Sequence, residues 1–154
     1  MKLSAGLLLF RFVNHQLEVF LVHPGGPFWK NKDEGAWSIP KGEFSIEEDP
    51  LKAAIREFEE ETGAKVSGKF IPLDAVKLKG GKIVHAWALE KDIDASSIVS
   101  NTFSMEWPPR SGKQIEIPEV DRAEWFTLPR ARIKINAGQV PLLDQLVEKT
   151  KATT

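Results

Sequence analysis

The chain has 154 residues, 42% apolar and 28% charged, with 21 Lys and Arg against 22 Asp and Glu. That is the make-up of one folded domain with a radius of gyration of about 15 Å, too small for a second core. A net charge of −1 argues against nucleic-acid or membrane-surface binding through bulk electrostatics, and the absence of cysteine excludes disulfides and thiol nucleophiles.

Residues 2–12, rich in Leu and Phe, and residues 16–23 read as the strands of a β-hairpin that turns at Asn14-His15. The run His23-Pro24-Gly25-Gly26-Pro27 breaks the pattern, and the polar, basic stretch to Gly35 reads as a loop beside an opening. A short strand is expected at 36–40. From Ile46 the period becomes helical: Leu51, Ala54, Ile55, Phe58 and Thr62 fall within about 100° of one another, and Gly63 supplies the stop. Residues 66–76, 82–89 and 102–107 then read as strands, the first two joined at Gly80-Gly81. Residues 121–126 read as a short apolar-polar stretch, a short helix is expected at 128–135, and a last helix at 141–151 with Leu142, Leu143, Leu146 and Val147 on one face. Helices separated by several strands predict an α/β (α+β) sandwich around a mixed sheet, as one domain over 1–154. No apolar run approaches the roughly 20 residues that span a bilayer. With no export leader pattern at the N-terminus, a cytoplasmic location is the expectation.

The average charge hides a concentration. Between Gly42 and Gly63 stand eight acids (Glu43, Glu47, Glu48, Asp49, Glu57, Glu59, Glu60, Glu61) and two bases (Lys52, Arg56), a local balance of −6. On a helix, Leu51, Ile55 and Phe58 point to the core while Glu57, Glu60 and Glu61 share an arc of about 100° elsewhere. Like charges at this spacing cost a bare helix about 0.2–0.5 kcal/mol per pair, so gathering them calls for a positive partner. A hard divalent cation fits, since carboxylate oxygens suit Mg²⁺ or Mn²⁺ and Mg²⁺ bridges carboxylates to phosphates. A solvated acidic face has the same composition.

Spacing separates the two. The segment follows the pattern G-x5-E-x7-R-E-U-x-E-E-x-G-U, with U a bulky apolar residue, through Gly42, Glu48, Arg56, Glu57, Phe58, Glu60, Glu61 and Gly63. Only Ala64 is smaller than usual. On these residues the sequence resembles the Nudix hydrolase family. The resemblance implies an α/β/α sandwich with a mixed sheet, and hydrolysis of a nucleoside diphosphate linked to another group by water attacking phosphorus with divalent-metal help. It makes Glu57, Glu60 and Glu61 metal ligands, one of them also a candidate base, and the Lys41 backbone carbonyl a further ligand. Arg56 becomes the residue that orients Glu57 or another glutamate, and Glu48 a supporting acid that reaches Arg56 or a water on the metal. Gly42 and Gly63 serve the loop turn and the helix stop. The family often adds a glutamate from a distant loop; of Glu106, Glu116 and Glu119, the spacing to Trp125 favours Glu119, with Glu116 in reserve.

The lead-in Trp37-Ser38-Ile39-Pro40-Lys41-Gly42 is similar to that of diadenosine polyphosphate hydrolases and of some nucleoside triphosphate pyrophosphatases, and Lys41 offers a point charge to a terminal phosphate. Lys30, Lys32, Lys77, Lys79, Lys82, Arg110 and Lys113 are candidates for the rim of the same cleft. Trp29, Trp107 and Phe28 are candidates for stacking on a base, whereas Trp37, Trp87 and Trp125 read as packing. His23 and His85 read as structural. The chain has no tyrosine, the ring that commonly stacks on adenine in the diadenosine branch. It also lacks the proline typical of ADP-ribose hydrolases, where Lys79 and Gly80 stand. The expectation is a Mg²⁺-dependent hydrolase, Mn²⁺ being an alternative, acting on a dinucleoside polyphosphate or nucleoside triphosphate. Its partner is a small-molecule nucleotide, with neither nucleic acid nor membrane involved and the oligomeric state open. The competing classes are a non-catalytic nucleotide-binding module on the same fold and an acidic interaction surface.

Overall fold

Strand β1 (Leu3–Val13) carries an apolar run that needs cover on both faces, and it lies at the centre of the sheet. The structure, a computed structural model, describes residues 2–151; Met1 and residues 152–154 of the expected 1–154 domain lie outside the described residues. β1 pairs antiparallel with β2 (Gln16–Pro24) across Asn14-His15, whose φ values of 51° and 67° give a turn matched to strand twist. Along its other edge β1 runs parallel to β5 (Ile83–Glu90), which in turn pairs with β4 (Ile71–Lys77). β8 (Val120–Thr127) extends the sheet beyond β2.

The edge of β1 that holds β2 is shared. β3 (Lys41–Glu43) takes its first part, with Gly6 opposite Lys41, and β2 takes its last part, with Phe10 opposite Val19. Between these pairings the sheet opens. Residues 36–40 lie in the gap, joined to β2 by paired Val22–Ser38 backbone bonds of 2.8 and 3.0 Å and to β1 by Leu7 N–H donating to the Pro40 carbonyl at 3.2 Å.

Side-chain alternation along β1 divides the core in two. Ala5, Leu7 and Leu9 lie with Phe20 and Val22 under helix α1 (Pro50–Thr62), which contributes Ala53, Ala54 and Phe58. Leu8 and Phe10 lie with Val19, Leu21 and Trp37 under α2 (Leu128–Lys134) and α3 (Val140–Thr150), through Ala131, Leu142, Leu143 and Leu146. This is a mixed sheet with helices on both faces. β6 (Thr102–Glu106) and β7 (Gln114–Pro118) form a separate two-stranded arm. Among the described residues no helix is long and apolar enough to cross a membrane.

Four local expectations change. Residues 36–40 make only isolated bridges, Val22–Ser38 and Trp37–Ile135, because they are wedged between strands that already diverge; the strand proper is β3. The helix begins at Pro50 rather than Ile46, since Asp49 caps it by accepting the Lys52 N–H at 3.0 Å. Residues 66–70 precede β4, with Gly68 at φ 142° bending the chain ahead of it. β7 pairs with β6 where no strand was expected, because its Gln-Ile-Glu-Ile-Pro stretch is short and mostly exposed.

Candidate active site

Close packing of β3 against the last two turns of α1 sets the geometry. A side chain on residue 42 would overlap the Glu57 carboxyl, so glycine is what lets the strand pass over the helix. The Lys41 N–H then donates to Glu61 Oε1 at 3.3 Å. Gly63, at φ 81°, ends the helix with its N–H on the Glu59 carbonyl at 2.7 Å. On the other side, Gln139, only 1% exposed, fixes the chain leading into Lys41. It accepts the Ile39 N–H at 3.0 Å and donates to Ser38 Oγ at 2.9 Å. Nothing in the sequence around Gln139 signals this role, because its contacts lie about a hundred residues upstream.

Arg56 is the hub of the acids. Its Nε and Nη2 form a fork on Glu48 at 3.0 and 3.1 Å, while Nη1 donates to Glu57 Oε1 at 3.1 Å and to Glu60 Oε1 at 3.3 Å. The Glu48 pair first, and the neighbouring charge of Glu57, hold the guanidinium firmly protonated. One cation does not balance these acids. Glu57 is 8% exposed, covered by Gly42 of β3 instead of lying on an open acidic arc. Burial, then the charge of Glu60 and a hydrogen bond with it, push its carboxyl up to about 7 against the pull of Arg56. Burial and the charge of Glu119 push Glu61 up to about 8, opposed by the Lys41 N–H. Glu119 is raised by burial and by Glu60.

The four carboxylates Glu57, Glu60, Glu61 and Glu119 thus lie within one another's field. Glu61 and Glu119 line a cleft of about 140 Å³ with Val22, Pro24, Ser38 and Lys41, at the place where the sheet opens. Glu119 stands at the junction of β7 and β8, its N–H on the Asn101 carbonyl at 2.8 Å and its carbonyl accepting the Gly25 N–H at 3.1 Å. Glu116 is held elsewhere: hydroxyls of Ser104 (2.6 Å) and Thr102 (2.9 Å) bind its carboxylate and lower its pKa. Glu106 accepts the Arg110 and Gly112 N–H groups at the tip of the arm.

Other candidates lie outside the cleft. Lys79 lines a separate basic recess of about 520 Å³ with Lys2, Lys77 and Lys82. Burial, and then the charge of Lys82, lower the Lys41 ammonium below the usual lysine range; Lys82 itself does not line the cleft. Trp29 follows the Gly25-Gly26 bend and Trp107 sits beyond the end of β6; neither lines the cleft. Trp37 is core, and its indole N–H donates to Asp33 at 2.8 Å. His23 is buried between Asp121 (2.9 Å) and the Lys32 carbonyl (2.6 Å), a structural position.

The donor set fits a hard divalent cation. Several oxygen ligands crowd together, three of the carboxylates are held toward the neutral form by burial and mutual repulsion, and among the described residues Arg56 and Lys41 offset them. Among the described residues no three His, Asp or Glu side chains already close around a single point, because Arg56 sits between Glu48, Glu57 and Glu60.

The sequence profile of the NUDIX domain matches residues 2–146. The crystal structure of a C. elegans Ap4A hydrolase binary complex superposes with a TM-score of 0.66 at 22% identity, over 98% of both chains. The NUDIX domain of Shewanella oneidensis NrtR, solved with ADP ribose, gives a TM-score of 0.66 at 18% identity over 96% of this chain and 87% of that one. An octanoyltransferase of Myxococcus xanthus is 32% identical over 97 residues, 63% of this chain; the match spans 24% of that protein.

Proposed function

The chain belongs to the Nudix family, and from that membership we propose that it is a single-domain, divalent-metal-dependent pyrophosphohydrolase that cleaves a phosphoanhydride in a nucleotide. One observation carries the reading: Glu57, Glu60 and Glu61, at the signature spacing, converge with the distant Glu119 beside a cleft that Lys41 also lines. An acidic cleft by itself would repel a polyphosphate, so the substrate and the carboxylates need a shared cation.

Glu57, Glu60, Glu61, Glu119 and the Lys41 carbonyl would hold Mg²⁺, with Mn²⁺ an alternative. When bound, the ion supplies neutralisation of the anhydride oxygens and a lower pKa for water. The residues of the chain do the rest. Arg56, anchored on Glu48, keeps Glu57 and Glu60 oriented. Gly42 removes the side chain that would push Glu57 out of place. The Lys41 ammonium, half-buried at the cleft, meets a phosphate oxygen of the substrate. Glu119 is the general base: burial and the charge of Glu60 raise its carboxylate, and such a group takes a proton from the attacking water more readily than an ordinary surface acid. The substrate class is a nucleotide with an extended phosphate chain, a dinucleoside polyphosphate or a nucleoside triphosphate. The Trp37-to-Gly42 lead-in and the fold shared with an Ap4A hydrolase support this choice.

The test is phosphate-product analysis in Mg²⁺ on nucleoside triphosphates, dinucleoside polyphosphates, ADP-ribose and nucleotide sugars, with Glu60→Gln as the blank. Turnover of an extended phosphate chain by wild type alone is expected. Equal turnover by the variant, or none by wild type on any substrate, removes the assignment.

A further inference from the structure

The β6–β7 arm has two unlike faces. On one, Thr102 and Ser104 bind Glu116, so its polar groups satisfy each other. On the other, the register sets Phe103 opposite Ile117 and Met105 opposite Ile115, with Trp107 next in the same alternation. This second face is apolar and partly bare: Phe103 is 43% exposed and Ile115 37%, Met105 and Trp107 are half-buried, and Ile117 at the inner end is buried. A two-stranded ribbon with an uncovered apolar face is poorly stabilised in water and gains from a partner.

Its position suggests the partner. Ile117, the buried inner end of the face, lies against the Gly26 backbone, and two residues further on the chain delivers Glu119 to the acidic cleft. Gly26 also begins the turn that carries Phe28 and Trp29, the Trp29 N–H donating to the Gly26 carbonyl at 3.2 Å. Phe28 is 60% exposed, and its ring centroid lies 3.7 Å from Lys32 Nζ, with that of Trp29 at 5.1 Å. Arg110 and Lys113 stand in the turn at the arm's far end. Exposed rings and hydrocarbon, flanked by cations at both ends and leading into the cleft, suit a flat aromatic group joined to an anionic chain.

We propose that the Phe103–Met105–Ile115 face of the arm, with the Phe28-Trp29 turn at its base, is the platform on which the base of the nucleotide stacks. This rests on the hydrolase reading above and adds the place where the nucleoside is recognised. Fluorescence titration of the 154-residue chain with ADP and with inorganic pyrophosphate, in Mg²⁺, tests it. Wild type is expected to bind ADP about tenfold more tightly than pyrophosphate, the scale of one stacked base. The double variant Phe103→Ser/Ile115→Ser should lose that tenfold for ADP and keep the pyrophosphate affinity, while Ser104→Ala, on the polar face, should change neither. Phe103→Leu keeps the bulk without the ring; it should lose part of the ADP preference, and it decides the matter if the double variant fails to fold. Wild-type ADP affinity in a folded double variant overturns the proposal. So does a dimer that the double variant abolishes while its ADP affinity stays intact, which would assign the face to a second copy. Retained nucleotide turnover in either case leaves the hydrolase reading standing, whereas a wild type that cleaves no nucleotide removes both.

Discussion

Two arginines gather carboxylates near opposite ends of β1, with different results. Arg11 binds Glu18 at 2.7 Å and Asp92 at 3.0 Å and lies 4.3 Å from the centre of the Trp125 ring. Arg56 binds Glu48, Glu57 and Glu60, with Glu61 and Glu119 pressing on the same group of acids. The first set is one cation between two partly exposed anions, a surface clip. The second is two cations, Arg56 and Lys41, among five acids, and burial raises three of them. Size points the wrong way: the hollow beside Arg11 and Trp125 measures about 760 Å³ against about 140 Å³ for the acidic cleft. Uncompensated charge separates the two places, because buried carboxylates in excess of their counter-ions are stable only in the neutral form or beside a further cation.

That contrast can be broken by substitution. The largest effect is expected for Glu60→Gln, which removes one charge from the crowded set while keeping its shape: kcat should fall about 10²- to 10³-fold with an unchanged circular dichroism spectrum. Glu48→Gln strips Arg56 of its forked partner without touching the cleft, and a ten- to hundredfold weaker Mg²⁺ affinity is expected by titration calorimetry, about the scale of losing an orienting contact.

The contrast also has a pH signature. Glu57 near 7 and Glu61 near 8 are raised in the folded chain above an unfolded value near 4.5. The folded state therefore holds the extra protons, so the stability these groups contribute is complete below about pH 4.5 and is lost as pH rises through 7 to 8. Melting temperature in EDTA should fall across that window by a few degrees, and Mg²⁺, binding only the native state, should restore it above pH 7. A flat profile with and without Mg²⁺ would contradict the surplus of charge. The smallest effect is expected at the other end: Arg11→Ala should cost less than about 1 kcal/mol in urea unfolding and leave kcat unchanged.

Much of this was legible in the chain. The β1–β2 hairpin announced itself through two apolar runs and Asn14-His15, α1 through its period and Gly63, and the acids through spacing that singled out Glu57, Glu60 and Glu61 among eight. Spacing favours Glu119 over Glu116, and of the two it is Glu119 that lines the cleft, since two hydroxyls hold Glu116 on the arm. Residues 36–40, the burial of Glu57 and the arm were harder. A strand-like run says nothing about whether a free edge awaits it, and helical phase alone does not distinguish an acid facing water from one covered by β3.

The sequence by itself determined what is local: hydrophobic period, caps, turns and the order of acids along one helix, all of which depend on residues within a few positions of each other. Only the tertiary structure decided that β2 and β3 would divide one edge of β1 and open the sheet. It also brought Glu119 to Glu61 and Gln139 to Ile39, and it spread Arg56 over three carboxylates. Those contacts join segments up to a hundred residues apart, and the burial that raises the glutamates is a property of the assembled layers, which no short stretch of chain carries.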